Sequence, residues 1–127
     1  MWSIIGISVG ASLGAIARWQ LGRWLNQPQA LLPWGTLAAN LIGGYVIGLL
    51  VALFQHTPSI DPMWRLVLIT GFLGALTTFS SFSAETVALL QNGRFGLALL
   101  QCSLHLFGSL ALTVLGLATG NALWAAR

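Results

Sequence analysis

Four stretches of this chain carry no charge: Met1–Ala17, Trp34–Gln55, Leu66–Ala84 and Phe95–Ala126. Each is near or above the roughly 20 residues that a helix rising 1.5 Å per residue needs to cross a ~30 Å hydrocarbon core. Charged residues make up 6% of the 127, where a water-facing domain carries about 25%. Five arginines and two acids, with no lysine, cannot keep a surface of this size wet. The sequence therefore predicts an all-α membrane protein, a single domain over 1–127 with four transmembrane helices at approximately 2–24, 34–55, 63–91 and 96–122. A soluble enzyme, a disulfide scaffold and a nucleic-acid binder are excluded. The pI of 10.6 reflects scattered arginines, with no basic block to hold phosphates. Cys102 is the one cysteine, so no intramolecular disulfide forms. Ala15-Ile16-Ala17 resembles a signal cleavage site, but no basic residue precedes the apolar stretch, and the first run is read as a span.

The runs are separated by short polar segments: Asn26–Gln29 with Pro33, His56–Pro62, and Gln91–Arg94. Such tight connections make consecutive helices antiparallel and put both ends of the chain on one side, here called side A. Trp2, Trp64 and Trp124 fall at side A ends and Trp19, Trp24 and Trp34 at side B ends, where interfacial tryptophans belong. Gly6, Gly10 and Gly14 line one face of the first span, Gly44 and Gly48 one of the second, Gly116 and Gly120 one of the fourth. Small ridges of this kind let helix backbones approach in lipid. Arg65 and Arg127 on side A nearly balance Arg18, Arg23 and Arg94 on side B. Because Lys and Arg bias sets orientation, so small an excess predicts insertion both ways and an antiparallel homodimer.

The least ordinary segment is Gly71–Glu85, in which Thr77–Ser83 packs five hydroxyls and two phenylalanines into seven residues near mid-span. Hydroxyls that bond back to the preceding turn would give a kinked helix. With Gly71 and Gly74 just upstream, the segment reads equally as a true break, whose freed carbonyls suit a small cation. Other spans supply polar groups: Thr36 and Asn40 share a face of the second, and His105, Ser109 and Thr113 form a stripe on the fourth. Arg18 follows Gly14 on the glycine face and is expected to point inward. An Arg18–Glu85 ion pair and an arginine-lined vestibule for anions are both open. No span carries paired carboxylates, which argues against a proton-coupled exchanger and, with no acid in the first span, against a small multidrug antiporter. An accessory membrane protein has no reason to gather hydroxyls at mid-span. Two histidines, His56 and His105, provide no metal cluster or nucleophile pair for a membrane enzyme.

Three motifs carry a family resemblance. Gly71-Phe-Leu-Gly-Ala-Leu-Thr-Thr-Phe-Ser-Ser-Phe-Ser-Ala-Glu85 resembles the signature of the Fluc/CrcB fluoride channels. Gly35–Gly44 is similar to that family's second-span motif and Gly10–Trp19 to its first-span motif. Ser81 stands where the family usually has threonine, and the hydroxyl is retained. The resemblance implies a fluoride-selective passive channel, not an enzyme, in a bacterial inner (plasma) membrane. It would export fluoride and so relieve fluoride toxicity. It further implies an antiparallel dual-topology homodimer with two pores and the third helix broken near mid-membrane. Phe79 and Phe82 would line the pore, Asn40 would be its asparagine, and Thr36, Ser80 and Ser83 would be hydroxyls near it. Gly74 and Thr77 would offer backbone carbonyls to a structural sodium ion at the dimer centre. Arg18 would face a vestibule, with Glu85 beside the pore mouth. The chemistry is coherent, because amide and hydroxyl groups can donate hydrogen bonds to fluoride and phenylalanine edges carry positive partial charge.

Overall fold

The computed structural model describes residues 1–125, so Arg127, one of the two side A arginines, lies outside the described residues. Four helices long and apolar enough to span a bilayer account for nearly all of it: α1 (Trp2–Leu25), α2 (Trp34–His56), α3 (Pro62–Gln91) and α4 (Phe95–Trp124). The protein is a multi-pass helical membrane protein.

Local chemistry explains where the helices begin and end. Pro33 stands immediately before α2, and Pro62 occupies the first turn of α3, where a missing N–H costs nothing. Asp61 caps α3 by accepting the Met63 N–H at 2.8 Å. The turn into α4 uses Gly93, at φ 73°, a backbone conformation that side chains beyond glycine rarely adopt. Isolated hydroxyls along the spans (Ser8, Ser12, Ser103, Thr119) bond to the carbonyl four residues back, as membrane depth requires.

Glycines set the packing. A Cβ on Gly10 or Gly14 would strike the backbone of α3 at Val67 or Phe72, so α1 lies directly on the first half of α3. Gly44, Gly48 and Gly116 bring α2 against α4, the most extensive helix pair in the protein. Ala39, Leu73 and Leu76 form the innermost apolar cluster, packed by Ala17, Leu21 and Val46. The tryptophans sit at helix ends, with Trp2, Trp19, Trp24, Trp34 and Trp64 exposed.

Two irregularities distinguish the second half of the chain. Leu66–Leu73 and Leu104–Gly108 are wound as π-helix, a looser winding frequent at functional sites and unmarked in the sequence. Halfway along α3 the helix stops altogether. Thr77 and Thr78 adopt extended backbone (ψ 154° and 119°), and helical geometry resumes at Phe79. The hydroxyl-rich run thus contains a break and not a kinked continuous helix.

Candidate functional site

Both edges of the break have local causes. Thr77 ends the first half with its N–H and its Oγ1 both donating to the Leu73 carbonyl, at 3.0 and 2.8 Å. Thr78 starts the second half as a helix cap, its Oγ1 accepting the Ser81 N–H at 3.1 Å. Gly43 of α2 leaves the room into which the Thr77 methyl packs.

A break at membrane depth must find partners for the backbone groups it frees. Asn40 of α2 supplies two of them, with Oδ1 accepting the Thr78 N–H at 2.8 Å and Nδ2 donating to the Thr78 carbonyl at 3.0 Å. Nδ2 also lies 2.9 Å from His105 Nδ1 of α4. Arg18 of α1 supplies a third, with Nε donating to the Ala75 carbonyl at 3.0 Å while Nη1 reaches Ser81 Oγ at 3.4 Å. Two spans therefore hold the interruption directly, and α4 braces it through the contact of His105 with Asn40.

The ring system lies beside it. Phe79 and Phe82 have centroids 5.5 Å apart, tilted 59°, and Phe82 lies 4.5 Å from the His105 ring. Phe79 is 80% exposed, and Ser80, whose Oγ is 3.3 Å from Thr78 Oγ1, is exposed as well. A cavity of about 520 Å³ is lined by Asn40, Gly74, Thr77, Phe79, Phe82 and His105. A second, also about 520 Å³, holds Arg18, Arg23, Asn26, Thr36 and Ser81, and Thr78 lines both. A third, of about 610 Å³, includes Glu85 and Arg94 and shares Asn26 with the second. Ser83 is half-buried and lines none of the three.

The Arg18–Glu85 ion pair does not form. Arg18 is engaged by Ala75 and Ser81, and Glu85 Oε2 accepts from Thr36 Oγ1 at 2.9 Å. Thr36 is oriented in turn by Asn26, whose Oδ1 accepts the Gly35 N–H at 2.7 Å and so caps α2 from the end of α1. Sequence reasoning missed Asn26, Thr78 as the cap, and the tie from Asn40 to His105. Only the last left a trace, as a stripe on α4 with no visible partner.

Among the described residues no group of three His, Cys, Asp or Glu side chains is arranged to hold a metal. The break offers backbone oxygen instead. In an uninterrupted helix the Thr78 N–H would bond to the Gly74 carbonyl, but Asn40 takes that N–H. Thr77 turns its own carbonyl out of the helical path. Gly74 is exposed, with room beside its Cα. Neutral carbonyl oxygens are donors that fit a hard cation such as sodium.

These features define a multi-pass membrane protein whose polar interior is organised around one interrupted span. A family described as CrcB-like protein, Camphor Resistance (CrcB), matches residues 5–117. The chain is 63% identical over 121 residues (95% of its length and 92% of the relative's) to the fluoride-specific ion channel FluC of Albidiferax ferrireducens. It is 57% identical to proteins of the same name from Variovorax paradoxus (94% of this chain, 95% of the relative) and Paracidovorax citrulli (96% and 94%). The chain belongs to the CrcB family, a family of ion channels and not of enzymes.

Proposed function

We propose that this protein is a fluoride-selective passive channel of the bacterial inner membrane, exporting fluoride from the cytoplasm and so relieving its toxicity. The observation that carries the reading is the break in α3, held through Thr78 by Asn40 and set beside Phe79 and Phe82 on one cavity. Relatives sharing more than half of the sequence and bearing the name of fluoride-specific channels support it.

Fluoride is small and strongly hydrated, so its path must replace water with hydrogen-bond donors and avoid acceptors. Phenylalanine edges are positively polarised and carry no lone pair. In this reading Arg18 and Arg23 draw anions into the second cavity. Ser80 offers a hydroxyl beside the path, with Ser83 one turn further on, and Thr36 spends its one hydroxyl hydrogen on Glu85, which it ties at the mouth.

The functional unit is an antiparallel homodimer with two pores. An exposed Phe79 is harmless in lipid, but the adjacent exposed Ser80 and the freed Gly74 carbonyl are not, and a second copy crossing at the break would cover both. The near balance of arginines supports insertion in both directions. At that crossing the carbonyls of Gly74 and Thr77 would hold a structural sodium ion, which would supply positive charge to tie the two breaks together.

Purified protein in liposomes loaded with fluoride or chloride tests the reading. Rapid fluoride release with chloride retained is expected; equal release of both, or of neither, overturns it. Two or three lysines added after Arg127, or near Asn92, should force opposite single orientations. Each variant alone is then expected to be inactive and the co-expressed pair active. Full activity from one variant, with its orientation confirmed by labelling, contradicts the antiparallel dimer.

A further inference from the structure

A hydroxyl on a membrane-spanning helix has a resident acceptor, the carbonyl four residues back. Ser8, Ser12, Thr86, Ser103 and Thr119 all use it. Thr36 does not, because it is the third residue of α2 and the residue four back, Leu32, lies ahead of the helix. Its hydroxyl is oriented from outside. Asn26 Oδ1 accepts the N–H groups of Gly35 at 2.7 Å and Thr36 at 3.4 Å, which fixes the amide, and Nδ2 then faces Thr36 Oγ1 at 3.4 Å. With a lone pair held in this way, Thr36 Oγ1 points its one hydrogen at Glu85 Oε2, 2.9 Å away.

That bond decides which cavity Glu85 serves. Thr36 lines the second cavity together with Arg18 and Arg23, whereas Glu85 lines the third. Among the described residues Glu85 Oε1 has no hydrogen-bond partner, so the Thr36 hydroxyl is what holds the carboxylate in place. A released carboxylate has an alternative close by. Ser81 and Glu85 are four apart on one helix, which puts their Cβ atoms about 5–6 Å apart. Arg18 Nη1 already reaches Ser81 Oγ at 3.4 Å, so its guanidinium is within reach of an unrestrained Glu85. An ion pair there would cancel one of the two arginines of the second cavity.

We propose that Asn26 is a positioning residue that withholds Glu85 from Arg18. By aiming the Thr36 hydroxyl it keeps the chain's one glutamate in the third cavity, and Arg18 and Arg23 remain the only charged side chains among the described residues lining the second. This rests on the channel reading above and deepens it by naming what keeps the entrance positive for an arriving anion. Capping α2 makes Asn26 a stability residue; aiming Thr36 makes it one for conduction.

Two variants separate those roles. Thr36→Val removes the hydroxyl and leaves the backbone N–H that Asn26 caps, whereas Asn26→Ala removes both bonds. In liposomes at low ionic strength each should release fluoride about tenfold more slowly than wild type, the lower end of what a focused charge adds to an entry rate, with a weaker dependence on salt. Only Asn26→Ala should lower the melting temperature markedly. Added to Glu85→Gln, which has no carboxylate to pair, Asn26→Ala should cost no further efflux. Because Glu85 is the single glutamate, solid-state NMR on protein carrying ¹³C in the glutamate carboxyl and ¹⁵N in the arginine guanidinium reads the pairing itself. Arg18→Lys, which removes the label, assigns a contact to Arg18. No Glu85–Arg18 contact is expected in wild type, and one is expected in both Asn26→Ala and Thr36→Val. Equal efflux loss from Asn26→Ala in the wild-type and Glu85→Gln backgrounds, a contact already present in wild type, or none in either variant overturns the proposal. Should Asn26→Ala not fold, or Glu85→Gln release no fluoride, the contact in Thr36→Val decides. A wild-type protein that releases no fluoride would instead remove the channel reading, and the contact would still be read without transport.

Discussion

The α2–α4 seam and the break in α3 both bring polar backbone to membrane depth, and they treat it in opposite ways. Along the seam each helix satisfies its own carbonyls, and glycines close the gap between them. Among the described residues Thr113 Oγ1 is the one hydroxyl that reaches across, donating to the Gly44 carbonyl at 2.9 Å, and His56 pairs with Asn121 at the side A end. At the break the helix gives up its own bonds, and Arg18 and Asn40 restore them from other spans. The seam needs only small residues at a helical period. The break needs particular donors and acceptors at particular places. Adhesion in this protein is generic, and the site is specific.

Substitutions that damage one region and spare the other test that contrast, and the largest effect is expected at the seam. A side chain on Gly116 would collide with the Tyr45 carbonyl, and the facing backbone has nowhere to move. Gly116→Val is therefore expected to abolish folded protein, seen as loss of a monodisperse peak after extraction. A well-folded Val variant would show that the seam is looser than its geometry says.

Asn40→Ala should act differently. It leaves the Thr78 N–H and carbonyl without their partner, at about 1–3 kcal/mol for each unsatisfied group. The bond to His105 across the seam is lost as well, but the glycine contacts that close the seam are untouched, so the variant should remain folded with a lowered melting temperature. Its fluoride efflux should fall to that of empty liposomes. Wild-type efflux with Asn40→Ala would separate the break from function.

The glycine ridges of the seam were legible in the sequence, because a glycine every four residues can only line one helix face, but which helix each ridge would meet was not. The four helices were legible for a similar reason, since uncharged runs of that length leave no other fold. The break was half legible: Gly71, Gly74 and the hydroxyls marked the place but suited a kink equally well. What decided it was the Asn40–Thr78 pairing between residues 38 apart in the chain, which no local pattern encodes. Arg18 was expected to point inward; its partners, the Ala75 carbonyl and Ser81, depend on how α1 crosses α3. The π-helical turns left no signal, because they are a difference in winding and not in composition.

A smaller effect is expected from Arg18→Met, which strands the Ala75 carbonyl and empties the second cavity of one of its two arginines. Loss of a charge-assisted bond costs about 1.5–3 kcal/mol, so the melting temperature should drop. Fluoride efflux should be reduced but remain above that of Asn40→Ala. An Arg18 variant as inactive as the Asn40 variant would make the guanidinium part of the path and not only a brace.

The smallest effect belongs to Thr113→Val. It removes the one hydroxyl bond across the seam, and interhelical bonds in membranes average about 0.6 kcal/mol. Stability should change barely and efflux not at all. A marked loss of efflux would extend the functional region into the seam.

The central claim is that the rings beside the break form the fluoride path, and paired efflux tests it most directly. Wild-type, Phe79→Ile and Phe82→Ile proteins, each confirmed as folded, are placed in liposomes loaded with equal fluoride and chloride, and both anions are followed together. The account predicts fast fluoride release with chloride retained from the wild type, and near-background fluoride release from each isoleucine variant. Wild-type fluoride rates in both variants, or chloride released as fast as fluoride from the wild type, would contradict it.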